Sequence, residues 1–154
     1  MRAIFRILLL WAILAAPLAP SALADEAVDP IESFLIQLFT VDARDFASMD
    51  DPAEDYPAYL SDRLGAYCTQ EALDELLLSR FPFSLAEACV RLEVQSVQIK
   101  PLDPETAGEG RASFRATALA ERPDGSFETV ALTGRVRLDV QTGRIAGLRL
   151  NFPQ

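Results

Sequence analysis

Few residues of this 154-residue chain are suited to chemistry, and their types narrow the field quickly. There is no histidine, which removes both the commonest proton-transfer group at neutral pH and a frequent metal ligand. No nucleophile motif, glycine-rich phosphate loop or clustered set of metal ligands replaces it, so no cofactor and no metal is expected. Cysteine occurs twice, at Cys68 and Cys89. In an oxidising compartment an even pair in a small domain reads as a disulfide, and closing a loop of about 20 residues would stabilise the fold by roughly 3 kcal/mol in the chain-entropy picture. Two buried free thiols are the alternative.

The remaining candidates are cationic. Arg135 and Arg137 share one face of a segment whose other face is Val130, Leu132, Val136, Leu138 and Val140. Arg149, Arg111 and Arg115 have the same parity relative to the apolar residues of their own segments. If these segments are neighbouring strands, the outer sheet face gathers an arginine cluster, and guanidinium forks suit carboxylates. Such a face either pairs with nearby acids such as Glu128 and Asp139, or docks an acidic partner. That partner is an envelope protein or the acidic half of a second copy.

The chain has a formal net charge of −9, and its charge is unevenly spread. Residues 25–75 hold 14 acids against Arg44 and Arg63, while residues 76–154 hold 9 acids against 10 bases. This balance argues against nucleic acid, whose phosphates need a basic surface, and against anionic lipid. At the N-terminus, Arg2 and Arg6 precede an apolar run from Ile7 to Ala16, and Ala22-Leu23-Ala24 supplies a small-residue exit before Asp25. That order reads as a secretory signal peptide over residues 1–24, cut after Ala24. The run stops at Pro17, short of the roughly 20 apolar residues a spanning helix needs, so no stable membrane anchor is expected after cleavage. Residues 25–154 then form one periplasmic or secreted domain of ordinary size.

The elements that must position these residues follow from periodicity. Asp29 as N-cap, Pro30 at the first helical position and Glu32 open a helix over 30–48, with Ile31, Phe34, Leu35, Leu38, Phe39, Phe46 and Met49 on its apolar face. Asp50-Asp51-Pro52 ends it. A second helix is expected over 58–67, burying Tyr59, Leu60, Leu64 and Tyr67, and a third follows Thr69 with Leu73, Leu76 and Leu77 inward. Phe81-Pro82-Phe83 stops that one, and one more short turn follows at Ser84. From Cys89 onward the period becomes two. The first strand changes phase between Val94 and Val97, which predicts a bulge near Gln95-Ser96. The second puts Ala112, Phe114, Ala116 and Ala118 on one side, the third is the arginine-bearing segment with Gly134 at a bend, and the fourth faces Ala146, Leu148, Leu150 and Phe152 inward. The expected architecture is α+β: N-terminal helices packed on a curved, cone-like, four-stranded antiparallel sheet.

This order of elements, the long bent strands, and the segment Phe34-Leu35-Ile36-Gln37-Leu38-Phe39-Thr40-Val41-Asp42 leading to a tyrosine-bearing helix resemble the nuclear-transport-factor-2-like superfamily over most of residues 28–154. The look is closer to the DotI/IcmL-type and Mce-associated periplasmic domains than to the superfamily's enzymes. The resemblance implies an envelope binding or assembly module, accessory to a secretion or transport complex. The alternative it implies is a small-molecule-binding or isomerase-like protein using the interior of the cone. In that case Asp42, with Asp45 beside it and Tyr59, Tyr56 or Tyr67 behind, would have to copy the acidic base and polar donors of the superfamily's enzymes. A carboxylate serves as a base near neutral pH only where its surroundings raise its pKa. An assembly module should instead fill the interior with side chains such as Phe34, Phe46, Phe114 and Leu148.

Overall fold

The computed structural model describes residues 22–151. The expected leader up to Ser21, and Phe152, lie outside the described residues. Among the described residues six helices and five strands follow in the order α1 (Ala22–Phe39), β1 (Val41–Asp42), α2 (Ala43–Ala47), α3 (Pro52–Leu64), α4 (Gln70–Ser79), α5 (Phe81–Ala88), β2 (Arg91–Pro101), α6 (Pro104–Ala107), β3 (Arg111–Glu121), β4 (Phe127–Leu138) and β5 (Ile145–Asn151). The α+β class is as the sequence suggests, with five strands in place of four. They form a curled, half-barrel sheet in the order β1-β2-β3-β4-β5, antiparallel throughout. No described helix is long and apolar enough to cross a membrane.

The expected helix over 30–48 is broken in two. α1 stops at Phe39 because its last carbonyls are taken from outside: Arg63 of α3 donates from Nε to the Gln37 carbonyl at 2.7 Å and from Nη2 to the Thr40 carbonyl. Thr40 and Val41 are β-branched and favour an extended backbone, and Val41-Asp42 pairs with Leu92-Arg91 as the fifth, edge strand. Asp42 then caps α2, accepting from the Arg44 N–H at 2.9 Å. Pro30 lies inside α1 rather than at its start. α3 begins at Pro52, six residues before the expected start, because Asp51 caps it and Pro52 suits the first helical turn. Tyr67 lies beyond α3. α4 is capped by Thr69 as expected, whereas the short turn is a full helix, α5, entered through Arg80 in the left-handed region at φ 50°.

The core is one cluster between the helices and the inner face of the sheet. Phe34, Leu35, Leu38 and Phe39 of α1 are fully buried, and the Phe39 ring meets Phe81 and Phe114, each at 5.9 Å between centroids. The inner strand positions Ala112, Phe114, Ala116, Ala118, Ala120, Leu132 and Val136 alternate with exposed or half-buried ones. Alanine predominates among the inner residues of β3, while α1 packs beside β2. Val140, expected on the inner row, lies past the end of β4 and is exposed. The predicted bulge is present, with the β2–β3 register shifting between Val94 and Ser96. A second irregularity falls at the Arg137–Leu138 step of the β4–β5 pairing. At Gly134 a side chain would collide with the Phe114 ring at 2.7 Å and with the Arg149 carbonyl. The glycine is therefore where the inner ring of one strand presses on the next.

Candidate functional site

The register of the strands places the arginines. On the outer face, Lys100 of β2 lies opposite Ser113 of β3, Ser113 opposite Arg135 of β4, and Arg135 opposite Arg149 of β5. The next rung pairs Arg111 with Arg137, and the one on the other side joins Gln98, Arg115, Thr133 and Asn151. All of Lys100, Arg111, Arg115, Arg135, Arg137 and Arg149 are exposed. Six cations thus occupy three successive rungs, which in a sheet of strands about 4.8 Å apart form one continuous patch. Toward the other end the same face becomes neutral and then mixed, through Ser96, Thr117 and Ala131 to Glu93, Arg91 and Glu121.

The two acids expected to pair with this patch form no ion pair with it. Glu128 pairs with Arg122, 2.5 Å away, at the opposite end of β4. Asp139 accepts from the Gln141 N–H at 2.8 Å; this bond, first among several causes, holds its carboxyl low, and the charge of Arg137 contributes less. The ion pairs found among the described residues are Arg44–Asp42, Arg91–Glu93 and Arg122–Glu128, none involving the six cations. Arg137 donates to the Ala146 carbonyl at 2.8 Å, and with Arg111 it borders an open cleft of about 570 Å³ that also holds Glu71, Glu109 and Asp139. Arg135 and Arg149 stand directly opposite each other. Like charges so placed destabilise a sheet unless something anionic engages them.

Lys100 is the member that parity reasoning had not included. Its signal was present, because the bulge turns Val97 and Ile99 inward and so Gln98 and Lys100 outward.

The acid–tyrosine set does not assemble into a site for proton abstraction. Asp42 sits at the edge strand, where Arg44 donates to both carboxylate oxygens from Nε, at 2.9 and 3.1 Å, and from Nη2, at 2.5 Å. The Arg44 guanidinium and N–H beside it hold its carboxyl far below the usual range, the reverse of what a base requires. Tyr59 and Tyr56 instead join Phe46 and Phe83 in an aromatic cluster between α2, α3 and α5, with centroids 5.1 to 6.2 Å apart. Burial pushes the Tyr56 phenol up to about 12 and raises that of Tyr59. Neither buried hydroxyl makes a well-formed hydrogen bond, although Tyr56 is near the Phe83 backbone and Tyr59 near Arg63. No hydrogen bond links Asp42 to Tyr59.

Cys68 and Cys89 are two separate buried thiols, not a disulfide. Cys68 lies beside Ile145 at the start of β5, level with Leu138 and Gly110 at one end of the sheet. Cys89 precedes β2 at the other end, beside Glu121, with its thiol donating to the Leu85 carbonyl at 3.1 Å. Placement at diagonal corners of the sheet does not bring Cα atoms within the about 7 Å a disulfide needs. Burial raises both thiols, Cys68 to about 12.

The interior is packed: Phe34, Phe46 and Phe114 are buried and Leu148 is half-buried. A groove of about 360 Å³ lies between α4 and β5, lined by Phe34, Phe81, Leu148 and Leu150 together with Arg149 and Glu75. Among the described residues no group of three or more acidic or cysteine side chains could hold a metal ion. No protein-family model matches the chain, and no curated protein matches it significantly.

Proposed function

We propose that this chain is an exported protein-binding module of the cell envelope, which uses the cationic end of its outer sheet face to hold an acidic partner protein. The observation that carries this reading is the set of three adjacent rungs of cations, none of them in an ion pair among the described residues, on a molecule of net charge −9. Arginine forks recognise carboxylates in pairs of parallel hydrogen bonds, and a patch whose cations form no ion pairs of their own breaks none on engaging them. Export is supported by the leader-like order of Arg2, Arg6, the apolar run and Ala22-Leu23-Ala24. The likeness in element order to the nuclear-transport-factor-2-like superfamily supports an assembly role of the DotI/IcmL or Mce-associated kind.

An envelope protein with an acidic surface fits the patch, and so does a second copy. The helical half of this chain exposes Asp45, Asp50, Asp51, Glu54, Asp62, Glu71, Asp74 and Glu75, so head-to-tail association is the first case to test. The experiment compares proteins captured from native envelope extract by the wild type and by the triple variant Arg135→Glu, Arg137→Glu, Arg149→Glu. The variant should lose the partners while keeping its fold, since all three side chains point away from the core. Capture should also weaken with salt, because exposed charges are screened over roughly 10 Å at 0.1 M. Identical partner lists for the two proteins would refute the reading.

A further inference from the structure

The sheet ends differ in how they are finished. β1 covers only the first two residues of β2, leaving the rest of that edge open, but this stretch is interrupted by the bulge before Ser96 and by Lys100 and Pro101. These are devices that discourage a further strand from adding. The other edge strand, β5, is capped only at its first residue: the Ile145 N–H donates to Tyr67 and its carbonyl accepts from Thr69, each at 2.8 Å. Past Ala146, residues Gly147–Asn151 pair with β4 on one side, and among the described residues no backbone group bonds to them on the other. This stretch contains neither proline nor a further bulge.

The groove between α4 and β5 runs along this open edge. Leu148 and Leu150 face it, together with Phe34 and Phe81 from below, while Arg149, which also borders it, belongs to the cationic outer face opposite Arg135. A strand laid beside β5 would alternate its side chains between these two environments. One parity would enter an apolar groove in which Glu75 repels acids. The other would stand on the outer face next to Arg149 and Arg135.

We infer that the outer edge of β5 accepts an extended segment of the partner as a sixth strand, with alternating apolar and acidic side chains: the apolar ones fill the groove beside α4 and the acidic ones meet Arg149 and Arg135. This rests on the reading that the partner is acidic, and adds how it is held. Backbone hydrogen bonds along Gly147–Asn151 supply the attachment, and the alternation supplies the selectivity.

The test uses the chain from Asp25 to Gln154 and three capped eight-residue peptides. One alternates Glu with Val and Leu, one replaces each Glu by Lys, and one has the composition of the first with its acids and apolar residues in separate runs. The alternating acidic peptide should bind at least tenfold more tightly than the other two. At saturation it should slow hydrogen exchange of outer-edge amides within Gly147–Asn151 at least tenfold. Methylating alternate backbone nitrogens of that peptide, on the side facing β5, should abolish the effect without changing its charge.

If the acidic peptide and its run-separated isomer bind equally, with resonance shifts confined to Arg115, Arg135 and Arg137, strand addition is wrong while recognition of acids by the face stands. If no peptide binds, strand addition is likewise overturned, and the face is judged separately by the envelope capture with the triple arginine variant.

Discussion

Gly134→Ala is the sharpest probe of the strand register on which the arginine rungs depend. A methyl group at this position would lie 2.7 and 2.8 Å from two carbons of the Phe114 ring and still closer to the Arg149 carbonyl. Comfortable carbon contacts begin at about 3.5 Å, so the ring would have to retreat by most of an ångström. It cannot do so freely, because Phe114 is buried against Phe39, itself fully buried. Overpacking of this kind costs about 1–3 kcal/mol, and the second collision, with backbone, favours the upper end. For a chain of this size that is a fall of about 10 °C in Tm. Circular dichroism melting, with urea midpoints as a check, measures it. Adding Phe114→Leu should recover part of the loss, so the two changes should couple rather than add. A Gly134→Ala protein melting within about 1 °C of the parent would mean that Gly134 and Phe114 are not opposed. A one-residue slip of β4 would then send Arg135 and Arg137 to the inner face, and the cationic rungs would not exist.

Three further outcomes are expected. Without any reductant, the folded protein should leave both thiols unmodified by Ellman's reagent and the unfolded protein should react at two, with Tm unchanged by added reductant; an unfolded wild type that shows no reactive thiol until reductant is added would restore the disulfide. Arg63→Ala should destabilise the protein by about 2 kcal/mol, because it removes charge-assisted bonds to the Gln37 and Thr40 carbonyls, and urea denaturation that shows no change would mean that α1 ends for another reason. Asp42 has its folded-state pKa depressed well below the ordinary aspartate value, chiefly by hydrogen bonds from Arg44, so its stabilisation is present above that ordinary value and is lost as pH falls. The Tm difference between wild type and Asp42→Asn should therefore be constant from about pH 5 to 7 and shrink toward pH 2, whereas a difference that grows on acidification would contradict the pairing.

The sheet was legible from its alternation. Ala112 to Ala118 and Val130 to Leu138 mark their inner rows unambiguously, and the change of phase between Val94 and Val97 locates the bulge because a period of two tolerates no extra residue silently. The same parity put Arg115, Arg135, Arg137 and Arg149 on one face. The helical half was less legible because its breaks are made by distant residues. Nothing within Phe34 to Phe46 says that Arg63 will take the last carbonyls of α1, so the apolar period reads straight through Thr40 and places Asp42 on a helix. The disulfide reading failed for a similar reason: compartment and count favour pairing, but only the topology shows that Cys68 and Cys89 stand at opposite corners. The groove beside β5 is a product of tertiary packing, and no local pattern announces it.

The claim that the cationic face is the docking surface is tested most directly by photocrosslinking in intact cells. Ser113 lies between Lys100 and Arg135 on the central rung and points outward, so a photoreactive benzoylphenylalanine placed there samples whatever covers the patch. The same residue at Asp62 serves as a control on the acidic half. The account predicts discrete adducts from position 113 to an acid-rich surface, and their loss when Arg135, Arg137 and Arg149 are changed to Glu. Adducts with twice the mass of this chain, formed from both positions, would identify the partner as a second copy. Adducts that persist unchanged in the triple variant, or that form only from position 62 with other proteins, would contradict it.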